Sequence, residues 1–322
     1  MRSAKNKSLN SQKTDSQLPR RDLFRMVAGA LAVSAARAGS ALADSHAASA
    51  LVNNDWVIEW NAHIFSPDTN RFPIHQQAVY KPDLSKHPAD PLAAYLDRLR
   101  EQRIDRAVIV QPEPYGDDHR LVLDCLRREP DRLRGTSLFY PRDARAPQKL
   151  AELVRQEPRI VSTRFHAHRG KENYLDSFAD AGVRALWKQA VNLNLIVELH
   201  IGPNYAGQVG KLMRDFPASK VLIDHLAEPH LGSAVEFADV LDLATFTNVY
   251  MKLSGLGHFA TDAPYYDSAR SFTRRVVQAF GPNRMVWGSG PPDIVDRHLA
   301  DYSDADRRKV KGTNLRNLLN WT

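Results

Sequence analysis

The chain has 322 residues, of which 43% are hydrophobic and 25% charged, with one cysteine and a formal net charge of +7. The single cysteine, Cys125, excludes an internal disulfide, and its place in an apolar run at helical spacing favours a buried small side chain over a nucleophile. The positive charge is concentrated in residues 1–43, which hold eight Lys and Arg against two Asp, so the remaining 36 basic and 35 acidic residues give no indication of nucleic-acid binding.

The N-terminal residues have the order of features of a twin-arginine export signal. Arg20 and Arg21 precede an apolar run, Met26–Ala36, and an Ala-x-Ala cleavage pattern at Ala41–Ala43. The run is shorter than the ~20 residues that span a bilayer, although a disordered basic tail or a helical anchor is the alternative interpretation. We therefore expect a signal peptide over residues 1–43, a mature domain over 44–322, a periplasmic location and no membrane insertion after cleavage.

The first predicted strand, Val57–Phe65, has one polar and one apolar face. Side chains alternate along a strand, so Glu59, Asn61 and His63 share a face with Val57. The other face is apolar and carries Ile58, Trp60, Ala62 and Ile64. Polar groups on a buried strand are costly unless they pair or take part in chemistry. We expect Glu59, Asn61 and His63 to face the centre of the fold.

Downstream of a loop at Asp68–Lys86, hydrophobic periodicity predicts helices that alternate with short strands. The predicted helices are Pro91–Arg103, His119–Arg128, Pro147–Gln156, Gly182–Leu193, Gly207–Asp215, Ala234–Thr245, Ser268–Phe280 and a tail at Asp304–Leu319. The predicted strands are Arg106–Gln111, Arg134–Tyr140, Ile160–His166, Leu195–His200, Lys220–His225, Asn248–Ser254 and Arg284–Gly288.

Eight strand–helix units in about 250 residues predict an α/β fold of the (β/α)₈ TIM-barrel type. An open, doubly wound sheet is the competing architecture. No Gly-x-Gly-x-x-Gly follows any predicted strand, which favours the barrel.

Active sites of such barrels lie at the carboxyl ends of the strands. Strand parity predicts an inward-facing set there, consisting of Asn61, His63, Gln111, Arg164, His166, Glu198, His200, His225, Lys252 and Ser254. A single histidine at a strand end is more often structural than catalytic. Because His63, His200 and His225 end three different strands, their coincidence indicates a functional site.

Several segments resemble the amidohydrolase-related TIM-barrel hydrolases. The similarity spans about residues 55–320, and within the family it is greatest to the 2-pyrone-4,6-dicarboxylate lactonase branch. The segments are Val57–Phe65, Val197–Gly202, Leu222–Leu226, Lys252–Gly255, Val286–Ser289 and Gly312–Asn314 for the family, and Arg71–Pro73, Val79–Pro82 and Val110–Gly116 for the branch. The resemblance implies hydrolysis of a cyclic ester that bears carboxylates, without need of a metal.

The sequence departs from the family pattern at two positions. The first strand of the family carries His-x-His, where this chain has Asn61 before His63, and the aspartate that follows the last strand is replaced by Gly290. Zinc requires about three His or carboxylate ligands plus an open position. We therefore expect no tightly held metal and no other cofactor, with zinc at His63, His200 and His225 as the alternative.

Ester hydrolysis needs a base for water and a donor for the developing oxyanion. In place of the missing aspartate, a histidine, Glu198 or a displaced Asp293 remains as the base, although Glu198 is also interpreted as a paired interior carboxylate and Asp293 as a helix cap. Arg164, close to His166, His168 and Arg169, is interpreted either as the partner of a carboxylate or as the wall of a cationic pocket.

The first functional hypothesis is an exported hydrolase that acts on a small carboxylated lactone or a related cyclic substrate, an anionic organic molecule, without a tightly held metal. The second is a binding protein or pseudoenzyme that kept the pocket and lost the base. The predicted catalytic residues are His63, His200, His225 and Asp293, and the predicted substrate-binding residues are Asn61, Tyr80, Gln111, Tyr115, Arg164, His166, Lys252 and Ser254.

Overall fold

The computed structural model describes residues 55–167, 174–175 and 177–322. The predicted export signal and its cleavage pattern lie outside these residues, as do His168 and Arg169. No helix in the described part of the chain has the length and apolar character that crossing a membrane requires.

Eight strands form one parallel sheet in chain order, β1 to β8, and β8 lies beside β1. The strands are β1 Ile58–Ala62, β2 Arg106–Val110, β3 Leu133–Leu138, β4 Ile160–His166, β5 Ile196–His200, β6 Lys220–Ile223, β7 Val249–Leu253 and β8 Met285–Trp287. The sheet is a nearly closed barrel with helices between its strands, which confirms the predicted TIM-barrel fold.

Helices cover the outside of the barrel and bury apolar side chains, apart from the short helix Asp304–Arg308, which buries none. They are α1 Pro91–Glu101, α2 Arg120–Arg128, α3 Ala146–Gln156, α4 Ala181–Asn192, α5 Ala206–Asp215, α6 Ala234–Asp242, α7 Arg270–Phe280, α8 Ile294–His298, α9 Asp304–Arg308 and α10 Asn314–Leu319. Single 3₁₀ turns lie at Leu84–Lys86, Glu113–Tyr115, Pro203–Tyr205, Pro229–Leu231, Leu243–Thr245, Leu256–His258, Asp267–Ala269 and Pro282–Arg284. In α1, for example, Leu92, Tyr95, Leu96 and Leu99 are buried at the spacing of one helical face.

Strand β1 contains a bulge that changes which residues face the interior. Trp60 pairs with Val108 and Ala62 with Ile109, so two residues of β1 advance against one residue of β2. Trp60, which precedes the bulge, packs inside the barrel with Val108. Without the bulge, Trp60 and His63 would face opposite sides of the sheet.

The prediction that Glu59 faces the barrel centre was wrong. Its Oε2 atom accepts hydrogen bonds from the Tyr95 hydroxyl at 2.6 Å and from Arg98 Nη2 at 2.5 Å, and both donors belong to α1. Glu59 precedes the bulge, so it has the opposite parity to Trp60 and faces the helix layer. His63 follows the bulge and is restored to the interior side.

The C-terminal tail contacts both the first and the last strand of the barrel near their starts. It consists of α9, a π-helical turn at Lys309–Thr313 and α10 in place of one predicted helix. Asn314 Nδ2 donates to the carbonyl oxygens of Pro282 at 2.8 Å and Met285 at 2.7 Å, at the start of β8. Gly312 lies so close to Trp56, before β1, that an added Cβ would be 1.6 Å from the Trp56 carbonyl oxygen.

Candidate active site

A fully buried network of charges forms the floor of the site. Lys252 Nζ on β7 lies 2.6 Å from Glu198 Oε1 on β5 and 2.6 Å from Asp224 Oδ1, directly after β6. Arg164 on β4 donates to Asp224 Oδ2 from Nε at 3.0 Å and from Nη2 at 2.7 Å. Trp60 Nε1 donates to the second oxygen of Glu198 at 3.1 Å. Two cations and two carboxylates thus compensate one another inside the barrel.

The ionisation of the two floor carboxylates differs. Burial opposes the charge of Asp224, but Lys252 and Arg164 hold the pKa of its carboxyl well below the ordinary value. Burial raises the pKa of Glu198 above its ordinary value, while Lys252 acts in the opposite direction. The structure therefore supports the interpretation of Arg164 as the partner of a carboxylate and of Glu198 as a paired interior group. The expected cationic wall is neutralised.

Above this floor, one carboxylate oxygen of Glu228 contacts the imidazole rings of two histidines. Glu228 Oε1 lies 2.8 Å from His200 Nε2 and 2.7 Å from His258 Nδ1. His200 Nδ1 lies 3.0 Å from Arg164 Nη2. The side chain of His258 is 41% exposed, whereas that of Glu228 is 1% exposed. A continuous chain of contacts thus connects the buried floor to the solvent at His258.

A left-handed stretch of backbone positions Glu228 in this cluster. His225, Leu226, Ala227 and Glu228 have φ values of 53°, 55°, 61° and 49°. Each non-glycine residue in this conformation costs ~1–2 kcal/mol, so four in succession must be held by their surroundings. The strand β6 ends at Ile223, so the last two residues of the predicted strand Lys220–His225 lie outside it, and His225 already belongs to the left-handed stretch.

The same stretch turns the His225 ring into the site. Its centroid lies 4.7 Å from that of His200 and 4.9 Å from that of His258. His225 Nδ1 is 2.8 Å from Ser254 Oγ. A Cβ at Gly255, where φ is 61°, would lie 2.4 Å from His225 Nδ1, so only glycine fits there. Burial, assisted by Arg164 and Lys252, lowers the pKa of His225 well below its ordinary value, so the ring is neutral.

His63 lies beside the floor and outside the histidine–glutamate cluster. Its Nδ1 atom is 3.2 Å from the carbonyl oxygen of Val110, so Nδ1 carries the proton and donates it. Burial and the nearby Arg164 cation lower the pKa of His63 to about 3. Asn61 lies at the bulge of β1, where its buried Oδ1 has no hydrogen-bond partner among the described residues.

Two of the predicted substrate-binding residues support loops instead of facing the histidines. Gln111 Nε2 donates to the carbonyl oxygens of Gly116 and Asp118, at 2.9 Å each, and so closes the loop that follows β2. The Tyr115 hydroxyl accepts the backbone N–H of Ser66 at 2.9 Å. The prediction that Gln111 faces inward followed from continuing the parity of β2, but Val110 already occupies the last inward position of that strand.

The remaining predicted residues separate into two groups. His166 packs against the ring of His200, with centroids 4.5 Å apart, and is therefore part of the site. Tyr80 is an exposed loop residue. Asp293 is also exposed, and its Oδ2 accepts the Tyr265 hydroxyl at 3.1 Å. Asp293 occupies the N-cap position of α8 but makes no side-chain capping bond.

The sequence analysis did not identify Asp224, Glu228 and His258 as site residues. Asp224 follows Leu222 by two residues and therefore lies on the same face of the strand. This parity could have identified Asp224, but the inward position was assigned to His225 instead. Glu228 and His258 belong to loops. Their approach depends on the left-handed backbone and on the packing of two neighbouring loops, which leave no local pattern.

Four side chains form a possible metal-binding group in the described part of the chain. His200, His225, Glu228 and His258 each offer a ligand atom, and these atoms lie within 4.8 Å of one another. The group shares His200 and His225 with the zinc alternative predicted from the sequence, and it contains Glu228 and His258 where that prediction placed His63. Neither Asn61 nor Gly290, on which the expectation of a metal-free site rested, belongs to it.

Comparison with known proteins agrees with this architecture. A family model described as amidohydrolase matches residues 36–320. The chain is 26% identical over 260 residues to 4-sulfomuconolactone hydrolase of Hydrogenophaga intermedia, covering 80% of this chain and 79% of the relative. It is 26% identical over 230 residues to L-fucono-1,5-lactonase of Burkholderia ambifaria, covering 70% and 76%. The structure of a probable 2-pyrone-4,6-dicarboxylic acid hydrolase of Acinetobacter baumannii, 20% identical, superposes with a TM-score of 0.67 over 82% of this chain and 99% of the other.

Proposed function

Because the chain belongs to the amidohydrolase family, we propose that it hydrolyses the ester bond of a small lactone at the mouth of its barrel. The observation that carries the proposal is the convergence of His200, His225, His258 and Glu228 at the carboxyl ends of β5, β6 and β7. Active sites of TIM barrels lie at this end. Two relatives of this chain are named as lactone hydrolases.

The cluster has the groups that ester hydrolysis requires. Glu228, held by two imidazoles, fixes the His258 ring through Nδ1, and the His258 side chain is 41% exposed. His225 is neutral and therefore retains a lone pair. The paired charges of the floor keep the ring of His200 in place through Arg164. These residues organise one reaction centre without any carboxylate at position 290.

A divalent metal fits the residues present. Imidazole nitrogens and a carboxylate oxygen are ligands that zinc accepts, and the group is open to solvent at His258. When bound in such a site, a metal polarises a carbonyl and lowers the pKa of a water molecule.

The relatives suggest two classes of lactone. A sulfonated or carboxylated lactone is the first class to test, because two relatives are named as hydrolases of an anionic compound, a sulfomuconolactone and a pyrone dicarboxylate. A neutral sugar lactone is the second, because Arg164 and Lys252 are already paired with Asp224 and Glu198 and offer no uncompensated charge.

A lactone screen with two matched carboxylate variants tests the proposal. The protein, with and without added Zn²⁺, is assayed by pH-stat on anionic and neutral lactones. We expect Glu228→Gln to lower kcat at least ~100-fold, in the range of a lost acid–base or positioning group. Asp293→Asn, the control, should retain activity because its carboxylate is exposed and bound to Tyr265.

Loss of activity in Asp293→Asn with full activity in Glu228→Gln would contradict the assignment of the reaction centre to the Glu228 cluster. It would indicate that Asp293 is the base. A second function, ligand binding without turnover, is favoured by Gly290, which has no side chain where the family carries an aspartate. It would be supported if no lactone is hydrolysed under any condition while one of them binds in calorimetry.

A further inference from the structure

We propose that a second cavity at the mouth of the barrel binds an uncharged, polyhydroxylated compound of the size of a sugar ring. The cavity has a volume of about 570 Å³ and lies among the loops that follow β1, β2 and β3. It is separate from the histidines of the reaction centre, which follow β5, β6 and β7. Its wall includes His75, Asp117, Tyr140, Asp143 and Lys149, and these residues determine which ligand fits.

The neighbours of the His75 ring fix the position of its proton. The backbone N–H of Gln77 donates to His75 Nδ1 at 3.2 Å, and the Tyr140 hydroxyl lies 3.0 Å from the same atom. Because a backbone N–H is only a donor, Nδ1 is the acceptor and the ring carries its proton on Nε2. Burial raises the pKa of Tyr140, so its hydroxyl keeps its proton and also donates to Nδ1. His75 therefore offers a ligand the N–H group at Nε2.

This N–H group faces a carboxylate that it does not reach. His75 Nε2 lies 3.7 Å from Asp117 Oδ1, beyond hydrogen-bond distance, and the two side chains are 27% and 20% exposed. The short separation suits a single atom that accepts from Nε2–H and donates to Oδ1, which is a hydroxyl oxygen. A carboxylate ligand has no proton to donate, and an ammonium ligand has no lone pair with which to accept. The pair therefore selects a hydroxyl group.

The charges of the wall balance one another without a ligand. Lys149 Nζ lies 2.9 Å from Asp117 Oδ2 and 2.7 Å from Asp143 Oδ2, and Arg142 supplies a second cation. Two cations and two carboxylates line the cavity, so neither an anion nor a cation gains a net Coulomb attraction. Lys149 has three N–H donors and two carboxylate contacts among the described residues, which leaves one donor for a second hydroxyl.

Contacts between loops hold this arrangement in place. The backbone N–H of His75 donates to the Pro114 carbonyl at 2.8 Å and so fixes the loop after β1 against the loop after β2. Gly116, where φ is 54°, packs against both side chains of the pair His75 and Tyr140. A Cβ added there would lie 2.5 Å from the Tyr140 hydroxyl and 2.8 Å from the His75 ring. The donor at His75 is therefore preorganised before any ligand binds.

A line of aromatic rings connects the cavity to the reaction centre. The ring centroids of Tyr140 and Tyr174 are 5.3 Å apart, those of Tyr174 and His166 are 5.6 Å apart, and those of His166 and His200 are 4.5 Å apart. The cavity thus adjoins the reaction centre without sharing its histidines. Its ligand is either a free sugar or the hydroxylated part of a longer substrate, and both present the same hydroxyl groups.

The test is calorimetry of the purified chain with three probes that share one ring and differ in charge, namely galactose, galacturonate and galactosamine. We expect galactose to bind and each charged probe to bind at least ~10-fold more weakly. His75→Phe keeps a ring but removes the donor, so it should weaken galactose binding by about 10-fold. Asp301→Asn, the control, changes an exposed carboxylate paired with Arg274 and should leave binding unaltered.

The variant Asp117→Asn gives a readout that misfolding cannot imitate. It leaves Lys149 with one carboxylate, so the wall gains one positive charge. Galacturonate should then bind more tightly than it does to the unchanged protein, and galactosamine more weakly. Circular dichroism verifies that each variant folds.

Absence of galactose binding, equal binding of the three probes, or binding that His75→Phe and Asp117→Asn leave unchanged would overturn the proposal. Binding that is lost in His258→Gln and retained in His75→Phe would also overturn it, because the sugar would then lie at the reaction centre. Competitive inhibition of lactone hydrolysis by galactose identifies part of the substrate as the ligand, and binding without inhibition identifies a free sugar. Binding requires no turnover, so failure of the lactone screen leaves this inference standing.

Discussion

At the scale of single residues, each of the four charges of the floor faces a partner of opposite sign. Lys252, which is 0% exposed, contacts two carboxylates and lies 5.4 Å from the ring of Trp60. A buried ion pair contributes little beyond its desolvation cost, but removal of one partner leaves an uncompensated charge. Lys252 therefore contributes to stability mainly because its removal would leave the charges of Glu198 and Asp224 without their partner.

We predict that Lys252→Met lowers the free energy of unfolding by about 3–5 kcal/mol, because Glu198 and Asp224 would be left with Arg164 alone. Urea unfolding measures the change. The double variant Lys252→Met/Glu198→Gln should be more stable than Lys252→Met, since it restores charge balance. Equal or lower stability of the double variant would contradict the paired floor. As a control, Lys86→Met, on an exposed pair with Asp83, should leave unfolding unchanged.

At the scale of elements, two irregular segments position the site, one within β1 and one shortly after the end of β6. The bulge of β1 returns His63 to the interior, and the left-handed stretch after β6 brings in His225 and Glu228. A third close approach, Gly312 of the π-helical turn against Trp56, holds the C-terminal tail to the start of β1. Such approaches are set by backbone geometry and not by side-chain chemistry.

We predict that Gly312→Ala is strongly destabilising, by about 3 kcal/mol or more, because its Cβ would overlap the Trp56 carbonyl, 1.6 Å away, and backbone has to move. Gly207→Ala is the matched control. An added Cβ there has nothing within 4 Å and lies in α5, so the change should be neutral or stabilising by up to ~1 kcal/mol. Thermal and urea unfolding of both variants test the packing. Similar stability of the two would contradict it.

At the scale of the whole molecule, buried neutral histidines make stability depend on pH. Burial lowers the pKa of His119 to about 4 and that of His63 to about 3, while the unfolded chain titrates near 6.5. Between these values the unfolded state binds more protons than the folded state, so acid favours unfolding. Stability is complete above pH ~6.5 and declines as the pH falls below it.

We predict a loss of up to ~1.4 kcal/mol per pH unit for each such histidine between pH 6.5 and 4. Urea unfolding at several pH values measures the slope. His119→Gln keeps an acceptor for the Leu138 N–H, which now donates to His119 Nε2 at 3.1 Å, but removes the titrating group. The slope of this variant should decrease by about one proton. An unchanged slope would show that His119 titrates alike in both states.

We also propose that the chain is exported through the twin-arginine route, from the order of Arg20-Arg21, the apolar run and Ala41–Ala43. Changing both arginines to lysine should keep the unprocessed protein in the cytoplasm, as followed by fractionation and immunoblotting. A variant with only Lys13→Arg should be exported normally. Unaltered periplasmic processing of the double-lysine variant would contradict this route.

The sequence by itself determined the barrel, the chain order of its strands and the strand ends that carry Arg164, His200 and Lys252. These features follow from local periods of 2 and 3.6 residues, which are properties of short segments. Small boundary differences, such as β1 ending at Ala62 and not at Phe65, do not disturb this pattern.

Only the tertiary structure decided which charges pair and which side chains meet. Arg164 and Asp224 lie 60 residues apart in the chain, and Lys252 and Glu198 lie 54 apart, so no local pattern relates them. A bulge that depends on pairing with β2 puts Glu59 and His63 on opposite sides of the sheet, and Glu228 reaches the site through left-handed backbone that no propensity favours. Contacts between distant segments supply the energy for both irregularities, and they exist only once the barrel has formed.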